Sequence, residues 1–246
     1  MIDLTVLLYI CLMSTLFLIP VPIALDALQS LPAETVEVAR GLDLFVVERS
    51  KTARQFLKSI AVNKAMSDIT VLEIDEKDIS VVEVALKSAY REGRSVGVLS
   101  EAGCPGVADP GASVVTIAHQ IGMRVRPLVG PSSLLLALMA SGMNGQRFTF
   151  HGYLSPKRPE LMRDLQRLEQ QAERRKETQL FIETPYRSQM VLEVALDALR
   201  PDTRFCVAQD LTGAGEKVIS KKVKDWKTAG APVLEKAPAV FIVYRD

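Results

Sequence analysis

The chain has 246 residues, 48% of them apolar, with 30 Lys+Arg against 29 Asp+Glu and a formal net charge of +1. That profile excludes a disordered, collagen-like or disulfide-stapled chain, and it argues against a protein that grips nucleic acid by bulk charge. The length leaves room for one large domain or two of ordinary size, and two are expected.

Residues 4–25 carry no charge, a stretch long enough to span a bilayer as a helix. Asp3 replaces the basic flank that a signal peptide wants, and Pro20 and Pro22 interrupt any helix, so a membrane span is the disfavoured reading. The favoured one makes residues 15–23 a buried parallel strand, with Met13 as the start and residues 1–12 outside the fold. Apolar runs then alternate with helical periods and Gly/Pro punctuation, the pattern of βα units. Strands are expected at 42–49, 69–75, 95–100 and 123–129. Helices are expected at 51–60, from an Asp78 N-cap to Gly93, and at 112–120 with Gly122 closing the last. After Pro131, placed at the first helical position, a helix apolar on every side is expected to be deeply buried. The pattern restarts near Arg147 with a partly exposed strand at 147–154. A charged helix (157–176), a strand (178–184), a helix to Leu199 and strands at 204–211 and 239–245 complete the chain. The fold class is therefore α/β in two domains: residues 14–146 around a mainly parallel sheet and residues 147–246 around a mixed one.

Three cysteines without a CxxC pair (Cys11, Cys104, Cys206) fit a reducing, cytoplasmic setting. Two histidines, His119 and His151, in different elements leave a zinc or iron site short of ligands, so no metal is expected. The densest chemistry lies at 100–111, SEAGCPGVADPG, between a strand end and a helix start, where ligands bind in open parallel sheets. Gly103 and Gly106 let the backbone approach a ligand, and Glu101 and Asp109 add acceptors at the rim. Neither G-x-G-x-x-G nor a P-loop is present, and the loop holds no Lys or Arg. A cationic or neutral ligand suits it better than a polyphosphate, and S-adenosylmethionine fits that description. An ordinary surface connection is the competing reading.

SEAGCPGVADPG, VRPLVGPSSLLLALMASG, RFTFHGYLSPK, FIETPYRS and VAQDL resemble, in order, the signature segments of the tetrapyrrole-methylase superfamily, from about Thr15 to the C-terminus. The resemblance is greatest to its ribosomal branch, which methylates the 2′-hydroxyl of a cytidine in 16S rRNA. It implies a class III methyltransferase of two α/β domains, with S-adenosylmethionine held in the cleft between them and closed in by the C-terminal domain. It also implies a homodimer, and ribosomal RNA or the small ribosomal subunit as partner. Carried over by position, the cofactor contacts are Pro22, Ser100, Glu101, Ala102, Gly103, Val107, Ala108, Asp109, Ser132, Ser133, Tyr153, Glu183 and Thr184. Helix capping competes for the serines and core packing for Tyr153.

Two segments depart from the ribosomal pattern. PVPIALD at 20–26 lacks the glycine and asparagine of P-[TV]-P-I-G-N-L, and ERSKTAR at 48–54 has Arg49 where E-D-T-R-x-T-[RK] has an acid. The donor half of the signature is thus intact and the acceptor half altered. A methylase of a small ring and a non-catalytic protein retaining the fold are the alternatives. Methyl transfer from a sulfonium is an in-line displacement, so the protein supplies alignment and excludes water. A hydroxyl acceptor must lose a proton, and Glu48 or Glu101, at strand ends, is the expected proton acceptor; Glu183 is similarly placed. Arg49, Lys51, Arg54, Lys157 and Arg158 are candidate phosphate contacts. Arg163, Arg167, Arg174 and Arg175 read as a solvated helix face, and Lys221, Lys222, Lys224 and Lys227 as a solubilising rim.

Overall fold

A computed structural model of the chain describes residues 14–24, 26–230 and 232–245. The expectations for residues 1–12, for a start at Met13 and for Cys11 lie outside the described residues. The chain divides into two compact units, one running to Pro131 and the other beginning at Ser132.

The first unit is built on five parallel strands: β1 (Thr15–Ile19), β2 (Leu44–Val47), β3 (Thr70–Glu73), β4 (Val96–Leu99) and β5 (Arg124–Pro127), in the order β3-β2-β4-β1-β5. Helices α1 (Ala33–Gly41), α2 (Ser50–Ser59), α3 (Ser80–Arg91) and α4 (Gly111–Gln120) connect them. β2 and β4 are buried along their whole length, as expected of strands covered on both faces. On one face Leu16, Leu44, Val46 and Val98 pack with Leu86 of α3 and Val114 of α4. On the other, Ile19, Phe45 and Val47 pack with Ala39 of α1 and Leu57 of α2. Gly97 sits where three strands crowd, since a Cβ there would lie 2.8 Å from both Ile19 Cδ1 and Phe45 Cδ1. The described part of the uncharged run is thus the interior strand β1, between β4 and β5, and the turn after it. No helix among the described residues is long and apolar enough to cross a membrane.

The helix ends follow the local chemistry. Asp78 is not the N-cap of α3, a position held by Ile79; its Oδ1 instead accepts the Ser80 N–H at 3.0 Å from one residue upstream. Gly93 and Gly122, both at positive φ, close α3 and α4, with Arg94 N–H returning to Ala89 O and Met123 N–H to Ala118 O.

The second unit contains α5 (Ser133–Ser141), β6 (Phe148–Tyr153), α6 (Arg158–Arg175), β7 (Thr178–Glu183), α7 (Ser188–Ala198), β8 (Arg204–Gln209), β9 (Lys217–Lys222), α8 (Val223–Ala229) and β10 (Ala239–Tyr244). Its sheet is mixed, in the order β6-β7-β10-β8-β9, with β6 parallel to β7 and the other pairs antiparallel. Phe181, Phe205 and Phe241 stack beside Trp226, whose indole N–H donates to Phe205 O at 3.0 Å. Leu161, Leu165 and Leu168 of α6 cover this face. Ala137 and Leu138 of α5 cover the opposite one, packing with Leu180, Cys206 and Ile242.

Two details depart from the sequence reading. The sequence boundary fell at 146/147, whereas the compact units divide before α5, because α5 shares a core with the second sheet. Nor is α5 buried all round: Leu135 and Met139 are 51% and 78% exposed, and Pro131 precedes its N-cap, Ser132. Three elements had no sequence counterpart, α1, β9 and α8. β9 reads KVISKK and carries Lys221 and Lys222 of the expected solubilising rim; it is the edge strand of the sheet, where lysines discourage further pairing.

Candidate active site

The carboxyl ends of the first unit's strands gather three loops. Val21, just past β1, and Gly103, just past β4, exchange both backbone hydrogen bonds, at 3.0 and 3.1 Å. Gly103 has φ +73°, and a Cβ on it would come within 3.2 Å of Pro131 O. Gly130, after β5, is tighter still, for a Cβ there would sit 2.2 Å from Pro20 Cβ. Only glycine allows the chain to approach this closely at both positions. The loop after β4 is also tied internally. Ser100 Oγ donates to Gly103 O at 2.7 Å, and Asp109 Oδ1 accepts the N–H of Gly106 at 2.5 Å and of Gly111 at 2.9 Å. Ser100 and Asp109, both read from sequence as ligand contacts, therefore spend these atoms on shaping the loop.

Glu48 follows β2, and its Oε1 accepts the Glu101 N–H at 3.1 Å. Glu101 in turn accepts the Thr52 hydroxyl from α2. Burial pushes the Glu48 carboxyl above its usual range; the Glu101 N–H works against the shift, while the charges of Asp109 and Glu101 add to it. Burial also raises Asp109, against its two backbone N–H donors. Cys104 is likewise raised, by burial and then by Asp109, and its Sγ donates to Pro131 O at 3.4 Å, so it makes a poor nucleophile. Of the two candidate proton acceptors, the Glu48 carboxylate thus touches the backbone of Glu101, and the charges of Glu101 and Asp109 both act on it.

Beside Glu101 lies a cavity of about 260 Å³ between Pro22, Leu28, Ser100 and one face of α2 made by Thr52, Gln55, Phe56 and Ser59. The sequence reading missed these four α2 residues. Their spacing of three, four and seven residues was visible in the sequence, yet the helix was read only for its charges. Arg49 and Lys51 are exposed at the start of α2, and Arg54 donates to Met66 O at 3.4 Å.

In the second unit Lys157 and Arg158 are paired with Glu160 and Glu193, each at 3.3 Å. Ser132 is the N-cap of α5 but makes no side-chain capping bond. Tyr153 is 60% exposed past a bulge at the end of β6, so core packing does not account for it. Glu183 is committed internally: Oε1 accepts the Thr184 N–H at 2.7 Å and its hydroxyl at 3.2 Å, while Oε2 pairs with Arg187 at 3.0 Å. His119 is exposed on α4, and no group of three His, Cys, Asp or Glu among the described residues could hold a metal ion.

Residues 17–226 match the family described as Tetrapyrrole (Corrin/Porphyrin) Methylases. The chain belongs to the tetrapyrrole methylase family. As a tetrapyrrole methylase it is an S-adenosylmethionine-dependent methyltransferase. Its similar proteins include two described as ribosomal RNA small subunit methyltransferase I. That of Bacillus subtilis is 27% identical over 87% of this chain and 69% of its own length. That of Escherichia coli O157:H7 is 29% identical over 89% of this chain and 70% of its own. Uroporphyrin-III-C-methyltransferase from Thermus thermophilus shares the methylase fold, with a TM-score of 0.54 at 17% identity over 94% of this chain and 92% of that one.

Proposed function

We propose that this tetrapyrrole methylase transfers a methyl group to ribosomal RNA, at the 2′-hydroxyl of a cytidine in 16S rRNA, acting in the cytoplasm as a homodimer. Support for the RNA substrate comes from the names of its relatives. The observation that carries the reading is the run from Glu48 through α2: a carboxylate held on the Glu101 backbone N–H, beside a helix whose ten residues include Lys51, Arg54 and Lys58 and no acid. Such a helix favours a polyanionic acceptor.

The loop after β4 suits S-adenosylmethionine on its own chemistry. Close approach at Gly103, the absence of any cation from 100–111 and three carboxylates nearby favour a ligand with positive charge and hydroxyls. Pro22, Glu101, Ala102, Gly103, Val107, Ala108 and Asp109 would hold it there. When bound, the donor supplies a methyl group already activated by its sulfonium. Substitution of Ser132, Ser133 or Tyr153 should weaken donor affinity. Glu183 and Thr184 act through the fold of their own turn.

The chain's own task is alignment and one proton transfer. Glu101 borders the cavity and has a second oxygen not engaged by Thr52, so it takes the proton of the acceptor hydroxyl. Glu48, through the 3.1 Å bond to the Glu101 N–H, positions that residue. Arg49, Lys51 and Arg54 contact phosphates, with Lys157 and Arg158 as further candidates once freed from their acidic partners.

The test is methyl transfer from labelled S-adenosylmethionine to small subunits taken from a strain deleted for this gene, followed by nucleoside analysis. Labelled 2′-O-methylcytidine, lost with E101Q, is expected. Label on a base, or on no RNA at all, would contradict the reading.

A further inference from the structure

We infer that the cavity beside α2 receives the nucleobase of the nucleotide being methylated, so that the enzyme recognises its acceptor by the base while acting on the ribose. The inference rests on the RNA reading above and deepens it. At about 260 Å³ the cavity falls short of the roughly 300 Å³ at which pockets begin to enclose drug-sized ligands. A tetrapyrrole macrocycle or a whole nucleoside cofactor is too large for it, whereas one planar heterocycle is of the right size.

Its lining divides as a base requires. Val21, Leu28 and Phe56 supply apolar walls, and the ring of Phe56 is a surface on which an unstacked base can lie. Gln55 and Ser59 supply an edge. The Gln55 amide makes no hydrogen bond among the described residues, which leaves both its donors and its acceptor open. Ser59 Oγ donates to Phe56 O at 2.7 Å and so faces a ligand as an acceptor. Glu101, the proposed proton acceptor, stands at the same wall, which places the reacting hydroxyl next to the base that would be read.

The flanks of the same helix argue for a nucleotide over a neutral ring. Arg49, Lys51 and Lys58 form no ion pair among the described residues, although the chain as a whole is nearly neutral. Phosphates on either side of an extruded nucleotide would find these charges while the base enters between them.

The acceptor nucleotide is first mapped with the wild-type enzyme, and two short RNAs are then made, one intact and one abasic at that nucleotide. The wild-type enzyme is expected to show a KM roughly tenfold or more higher for the abasic RNA, in line with the loss of one stacked base. Gln55→Ala should raise KM for the intact RNA by about tenfold while leaving the abasic RNA unaffected, because the two changes remove the same contact. Ser59→Tyr, which fills the cavity, should impair the intact RNA more than the abasic one. In both variants the affinity for S-adenosylmethionine, measured by calorimetry, should match wild type. Equal losses on the two RNAs, or an abasic RNA as good as the intact one, would overturn the base pocket and leave the RNA reading standing. Failure of the wild-type enzyme to methylate any RNA would overturn both.

Discussion

Glu48 and Asp43 shift in opposite directions for reasons visible in their surroundings. Burial holds the Glu48 pKa up, so the folded state binds its proton more tightly than the unfolded state does. Stability from this group is full below the ordinary value of 4.5 and is lost as pH rises through the raised folded value. Burial would raise Asp43 as well, but hydrogen bonds from Lys64 and Arg94 outweigh it and hold its carboxyl low. Its contribution is present above the ordinary 3.8 and disappears as pH falls through the lowered value. Denaturant unfolding of Glu48→Gln should therefore show a stability that gains on wild type as pH rises just above 4.5 and then levels off. A difference independent of pH would remove burial as the cause. Glu101→Gln should lower the methyl-transfer rate by roughly 10²-fold or more at saturating donor. Gly130→Ala should cost about 1–3 kcal/mol of stability, because its new methyl group meets Pro20. The residue types at the site could be read from the sequence, and so could their strand-end positions. Which oxygens were already spent could not: Asp109 and Glu183 look like free acceptors until the N–H groups and the arginine they serve are seen in space.

Among the elements, α2 bears most of the functional argument. Replacing Lys51 and Arg54 together by Glu should weaken RNA binding and flatten its salt dependence, since fewer counterions are released on binding. Unchanged salt dependence would remove α2 from the RNA contact surface. In the second unit, Leu165→Ala should cost about 2–5 kcal/mol, because α6 packs that side chain into the aromatic core. Sequence periodicity reported such elements well. The first sheet consists of short apolar strands separated by helices with clear stop signals at Gly93 and Gly122, so its parallel character was legible in advance. β9 escaped because an edge strand rich in lysine has no apolar alternation to betray it. α5 misled for the converse reason: its uniformly apolar composition reads as deep burial, yet only the face bearing Ala137 and Leu138 meets a core.

At the scale of the whole molecule, two α/β units and their sheet types were legible in the alternation of apolar runs and helical periods, while the boundary depended on which sheet α5 joins, a choice its composition does not encode. A fragment spanning 132–246 should fold cooperatively, and one spanning 147–246 should be markedly less stable or aggregate, because Leu180, Cys206 and Ile242 lose the cover of α5. Equal stability of the two fragments would count against the division at Pro131. The central claim is that the loop joining β4 to α4 holds the methyl donor. Hydrogen exchange of the intact protein with and without S-adenosylmethionine tests it most directly. The expected result is slowed exchange at the backbone amides of residues 101–108; unchanged exchange there, with protection confined to other segments, would contradict it.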